Sequence, residues 1–137
     1  NAPYAGIADV RYALAAGPVW VQADAHSLED VVTHVLRNAE RYRPAGTPVT
    51  ITLDAADGAM ASVAIHNQGP AIAPERLERI FEFGVTDGQA GGQGEGRGQG
   101  LFVARTYMAK MGGAIAARNT GDGVCFELSL PRANARP

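Results

Sequence analysis

The chain has one cysteine, Cys125, in 137 residues. That excludes a disulfide framework and a cysteine-based zinc site. Basic residues do not predominate: 12 Lys and Arg stand against 14 Asp and Glu, for a net charge of −2. The electrostatic footprint of a nucleic-acid binder is therefore missing, and no nucleic-acid partner is expected. No apolar run approaches the ~20 residues of a membrane span. The first residues show no basic–apolar–small signal segment, so an excised module is expected from the way the chain opens at Asn1. What is present is ordinary globular composition, 46% hydrophobic and 19% charged. A chain of this length reads as one domain over residues 1–137 with a core that needs no covalent staple.

Glycine is unevenly placed. Eight of the 17 glycines fall between Gly84 and Gly100, in GVTDGQAGGQGEGRGQG. Such a stretch resists regular structure because glycine loses the most backbone entropy on ordering. A flexible loop over about 84–98 is expected, and long loops of this kind are usually lids, binding loops or disordered segments.

The remainder reads as mixed α and β. Strands are expected over Gly6–Leu14, Pro18–Ala23, Val49–Leu53, Met60–Ile65, Ala114–Ala117 and Val124–Leu130, with a hairpin turn at Asp57-Gly58. A helix is expected from Leu28 to Tyr42, with a start signal in Ser27 and Asp30 and a stop at Pro44. A short helix over PERLERIF opens on Pro74. Another runs from Leu101 to Met111 and is capped by Gly112-Gly113. This interleaving predicts an α/β sandwich, one mixed sheet with helices on one face.

On the first helix, Leu28, Val31, Val32, Val35, Leu36 and Ala39 form a core stripe. His34, Asn38 and Arg41 form a polar stripe beside it, with Tyr42 at the seam. His34 and Asn38 are four apart and meet on one side. An amide oxygen suits Mg²⁺, which takes few protein ligands plus substrate phosphates, but a buried amide satisfied by backbone reads equally well. The segment Ile65-His66-Asn67-Gln68-Gly69-Pro70-Ala71-Ile72 is either a plain strand-to-helix turn or a polar strand end that hydrogen-bonds a planar heterocycle. Gly96-Arg97-Gly98-Gln99-Gly100-Leu101 opens a helix. Its backbone N–H groups and helix dipole suit phosphate, and Arg97 is placed to pair with one. It lacks the Lys-Ser/Thr of a P-loop and does not follow a strand.

The order of LRNAERY, NQGPAI, PERLERIFEFG, a glycine-rich stretch, GRGQGLFVAR, MGGAI and GVCFELSLP resembles the catalytic ATP-binding domain of sensor histidine kinases, in the GHKL ATPase superfamily. The resemblance covers about Gly6 to Pro131. It implies a Bergerat-type two-layer α/β sandwich, a mixed sheet on about three helices with an ATP lid over 84–98. It implies ATP and Mg²⁺ as cofactors, Asn38 as the metal ligand, and catalytic roles for His34 and Asn38, with His34 supporting the attack. Nucleotide-binding roles are implied for Asn38, Arg41, Tyr42, Asn67, Gly69 and Ile72, and for Arg97, Gly98, Gln99, Gly100 and Leu101. Arg41 stands where relatives often have Lys. Asn67 replaces the family's adenine-binding Asp but keeps a carbonyl acceptor. Ala71 replaces its second Gly, and IFEFGVTD carries no early lid Arg.

The implied activity is protein histidine kinase: transfer of the γ-phosphate to a His on a separate dimerisation domain, for relay to a response regulator. None of His26, His34 and His66 sits in an acceptor-type helix, so the dimerisation and phosphoacceptor domain is expected to lie elsewhere. The implied partners are that domain of the same kinase and a cognate response regulator. The isolated domain is expected to be a monomer and the full-length protein a homodimer. The implied setting is the cytoplasmic part of an inner-membrane sensor. The alternatives are an anti-sigma-factor-type serine kinase and a degenerate, non-catalytic docking domain.

Overall fold

A computed structural model describes residues 10–14, 21–54, 59–82 and 100–133. In chain order these form β1 (Val10–Leu14), α1 (Ala25–Tyr42), β2 (Val49–Asp54) and β3 (Met60–Gln68). Two 3₁₀ turns (Pro74–Arg76 and Arg79–Phe81), α2 (Gly100–Lys110), β4 (Ala114–Asn119) and β5 (Gly123–Pro131) follow. The sheet order is β1-β2-β3-β5-β4. The β1–β2 pair is parallel, and the other three pairs are antiparallel. A parallel pair needs a crossover, and α1 supplies it. The expected mixed-sheet sandwich is therefore present. The helical layer holds two α-helices and two 3₁₀ turns among the described residues, where about three helices were expected.

Helix α1 begins one turn before the predicted start. The Asp24 carboxylate accepts the Ser27 N–H at 2.9 Å and the Asp24 carbonyl accepts Leu28 N–H at 2.9 Å, so Asp24 is the N-cap. Ser27 lies inside the helix rather than capping it. Hydrogen bonds from Ser27 pull the Asp24 pKa below the usual carboxylate value. The helix stops where Pro44 drives the preceding Arg43 into extended backbone, ψ 143°. Arg43 then ties the exit: its guanidinium donates to both carboxylate oxygens of Glu40, at 2.7 and 3.3 Å, and to the Thr47 carbonyl.

One face of the sheet carries the core. Val49, Ile65, Val124, Phe126, Leu128, Leu130 and Ile115 bury against Val31, Val35, Leu36 and Ala39 of α1 and Ala104 and Met108 of α2. The predicted stripe of α1 is thus its buried side, with Leu28 and Val32 half-buried at its edge. The PERLERIF segment forms two separate 3₁₀ turns instead of one helix. Its burial comes from Ile80 and Phe81, and Phe81 packs edge-on against Phe126 with ring centroids 6.0 Å apart. Helix α2 closes with Gly112 at φ +79° and Gly113 N–H on the Met108 carbonyl at 2.8 Å. That is the left-handed cap the double glycine predicted. Within the predicted strand Pro18–Ala23, the described residues show a single bridge, Val21 to Arg132. No helix among the described residues is long and apolar enough to cross a membrane.

Candidate functional site

Helix α1 places His34, Asn38 and Tyr42 one turn apart along its polar edge. From His34 to Tyr42 the helix rises about 12 Å. Gly69 and Gly100 meet this edge at opposite ends.

At the Tyr42 end, β3 runs three residues beyond the predicted strand, through Gln68. Alternation puts Asn67 on the same face as Ile65, beneath the helices, and Asn67 is only 2% exposed. Its Nδ2 donates to the Gln68 carbonyl at 2.8 Å. Gly69 follows at φ +138°, a conformation that side chains rarely adopt. A Cβ there would lie 2.7 Å from the Tyr42 carbonyl oxygen, so only glycine lets the turn reach the end of α1. Gly69 N–H donates to the Asp122 carbonyl at 3.1 Å. Ile72 is half-buried against the core. Arg41 is exposed, and its guanidinium carbon sits 5.0 Å from the Tyr42 ring centroid.

At the other end, Gly100 is the first residue of α2, and a Cβ on it would lie 3.2 Å from His34 Nδ1. The N–H groups of a helix start, with their favourable dipole, thus open beside His34. Burial is the largest influence on His34 and lowers its pKa; nearby Asp30 opposes this and Arg37 adds to it. Burial thus favours its neutral imidazole. Leu101 is half-buried and packs on the core edge. Asn38, half-buried between the two ends, makes no side-chain hydrogen bond to a described residue. Among the described residues no cluster of three His, Cys, Asp or Glu is placed to hold a metal. The donor set is one hard amide oxygen, which suits Mg²⁺ carried in on phosphates and water.

The structure brings together His34, Asn38, Tyr42, Asn67, Gly69 and Gly100. Arg97, Gly98, Gln99 and the 84–98 loop lie outside the described residues. The sequence places a turn at Asn119-Thr120-Gly121-Asp122-Gly123 between the two closing strands, and the structure has it there, but sequence reasoning gave that turn no part in the site. There Asn119 grips Ile72, Asp122 Oδ1 lies 2.9 Å from His66 Nε2, and Thr120 Oγ1 donates to the same carboxylate oxygen at 3.0 Å. The Asp122 pKa falls, chiefly through the His66 hydrogen bond. No sequence signal marked Asn119: an Asn before a Gly-rich turn reads as turn chemistry alone.

The profile described as histidine kinase-, DNA gyrase B-, and HSP90-like ATPase matches residues 23–134. Sensor protein PfeS of Pseudomonas aeruginosa is 36% identical over 115 residues, covering 82% of this chain and 25% of PfeS. Sensor histidine kinase CusS of Escherichia coli K12 is 31% identical over 112 residues, covering 81% of this chain and 23% of CusS. The chain thus spans about a quarter of the length of these relatives. Among solved structures, the mycobacterial sensor histidine kinase MprB matches with a TM-score of 0.80 at 27% identity, over 92% of this chain and 86% of that one. Full-length ShkA in complex with AMPPNP matches with a TM-score of 0.79 at 28% identity, over 94% of this chain and 26% of that one. A buried sheet face under two helices, a polar helix edge met by glycines at both ends, and these matches agree: the chain belongs to the histidine kinase-, DNA gyrase B- and HSP90-like ATPase family, among relatives that are sensor histidine kinases.

Proposed function

We propose that the chain is the catalytic domain of a sensor histidine kinase, binding Mg-ATP along the polar edge of α1 and passing its γ-phosphoryl group to a His on a separate dimerisation domain. One observation carries the reading. Gly69 against Tyr42 and Gly100 against His34 put the base-type turn and the phosphate-type helix start on one helix edge, with Asn38 between them. The adenine amino group meets the Asn67 amide, Ile72 gives an apolar wall, and Arg41 and Tyr42 line the rim. The phosphates lie at the start of α2, where Gly100 and Leu101 follow Arg97, Gly98 and Gln99 in sequence. The Asn38 side-chain oxygen would hold the Mg²⁺ that accompanies ATP, and the ion would neutralise charge on the phosphates.

In the transfer, the bond between the γ-phosphorus and the β–γ bridging oxygen breaks and ADP leaves. A bond forms from the acceptor imidazole nitrogen to that phosphorus. The proton released from the acceptor imidazole passes to neutral His34. Positioning and charge neutralisation carry most of the acceleration. The names of the relatives, sensor proteins and histidine kinases, support this over the serine-kinase alternative. Partners follow from it: the dimerisation domain of the same kinase and a response regulator, on the cytoplasmic side of an inner-membrane sensor.

The test is phosphotransfer. The chain with labelled Mg-ATP carries no acid-labile phosphoryl label by itself. Mixed at high concentration with the parent's dimerisation domain, because the tether's effective concentration is absent, it labels that partner's His. Stable label on His34, or label on the isolated chain, would overturn this division of roles.

A further inference from the structure

We infer that Asn119 is a positioning residue for the nucleotide base: without touching the nucleotide, it holds the turn that reads adenine. The inference rests on the base site described above. Asn119 ends β4, on the edge of the sheet, and Asn67 lies in the same cross-strand row with Val124 between them. Both side chains therefore lie on the helix-covered face. From there the Asn119 amide engages both backbone polar groups of Ile72: Oδ1 accepts the Ile72 N–H at 2.8 Å, and Nδ2 donates to the Ile72 carbonyl at 2.7 Å. The two residues are 47 apart in sequence, so this is a tertiary clamp and not turn chemistry.

The same β4–β5 turn holds the other end of the segment. Asp122 accepts the Gly69 N–H through its carbonyl, and Gly123 passes so close to Asn67 that a Cβ would run into the Asn67 carbonyl. The segment from Gly69 to Ile72 has no helix or strand ladder of its own. Its geometry is fixed from outside, at Gly69 by Asp122 and at Ile72 by Asn119. Because one amide takes the Ile72 N–H and one lone pair of its carbonyl, that residue offers the base chiefly its side chain. A pre-set turn lowers the ordering cost of binding, and it makes an ill-fitting purine edge costly. Asn119 therefore acts on base selectivity more than on phosphate binding.

Calorimetric titration of the chain with ATP, GTP and magnesium tripolyphosphate tests this in wild type, Asn119→Ala and Asn67→Ala. Tripolyphosphate has no base and reports the phosphate end alone. In Asn119→Ala the ATP-over-GTP affinity ratio falls about tenfold, the worth of one or two hydrogen bonds, while tripolyphosphate binding is unchanged. A ratio that stays at the wild-type value in Asn119→Ala but collapses in Asn67→Ala overturns the positioning role and leaves the base site standing. A ratio untouched by Asn67→Ala overturns the base site and this inference with it. Equal loss of all three ligands in Asn119→Ala marks a structural role only and overturns the inference. If Asn119→Ala does not fold, Asn119→Asp, equal in size with the acceptor kept and the donor removed, carries the same comparison: a fallen ratio supports the clamp and an unchanged one overturns it.

Discussion

At the proposed base end of the α1 edge, several polar groups of the turn already have protein partners. Gly69 N–H rests on Asp122, Ile72 is gripped by Asn119, and the Asn67 amide donates to Gln68. At the phosphate end, the side chains of His34 and Asn38 make no hydrogen bond to a described residue and stay half open to water. Both ends lean on the same helix, yet among the described residues one end is finished by protein contacts and the other is open. Selectivity for a base needs a rigid template, because discrimination comes from groups that a wrong ligand leaves unpaired. In the proposed arrangement phosphate and Mg²⁺ bring their own strong charges and waters, so the His34–Asn38 edge supplies mainly direction.

Gly69→Ala breaks the finished end and has the largest expected effect. Positive φ alone costs about 1–3 kcal/mol for a residue with a side chain, and the new Cβ meets main-chain oxygen that cannot swing away. Thermal unfolding falls by that order and ATP binding is lost. An unchanged midpoint would mean that the turn does not press on the end of α1. Gly100→Ala is the counterpart at the open end. Gly100 opens α2, where alanine gains little over glycine, and the new Cβ meets the His34 ring at 3.2 Å. Stability therefore moves by less than about 1 kcal/mol while Mg-ATP affinity drops several-fold. Full retention of Mg-ATP affinity would detach Gly100 and His34 from the phosphates.

The smallest effect is a pH slope. Burial holds the folded His34 pKa below its ordinary value of 6.5. The unfolded chain then binds the proton more readily. Stability from this group is whole above 6.5 and is lost as the pH falls from there through the lower folded value. Urea midpoints across that window show the slope in wild type and a shallower one in His34→Asn. The same slope in both would place the titration elsewhere.

Much of this was readable in residues. The 3.6-residue spacing of Val31, Val35 and Leu36 defined both the buried side of α1 and the polar edge beside it. Glycine and proline marked the ends of α1 and α2. The lost detail has physical causes. The polar run His66-Asn67-Gln68 ends an apolar pattern, so β3 reads as stopping at Ile65; its pairing through Gly123 of β5 carries it on. Asp24 outcompetes Ser27 as a cap because its carboxylate reaches the Ser27 N–H. PERLERIF has the propensity of one helix, but burying Ile80 and Phe81 under the sheet breaks it into two turns. Asn119 was invisible because its work is tertiary: nothing local to AARNTGDG points to Ile72.

The central claim is that one nucleotide spans both ends of this helix edge. The most direct measurement is calorimetric titration of wild type, Asn38→Ala and Asn67→Ala with ATP, each with and without Mg²⁺, and with GTP. The account predicts a crossed result. Asn38→Ala keeps the preference for ATP over GTP and loses the gain in affinity that Mg²⁺ gives. Asn67→Ala keeps the Mg²⁺ gain and loses the preference. If both variants retain wild-type affinity, Mg²⁺ dependence and base preference, the nucleotide does not lie along α1 and the account is wrong.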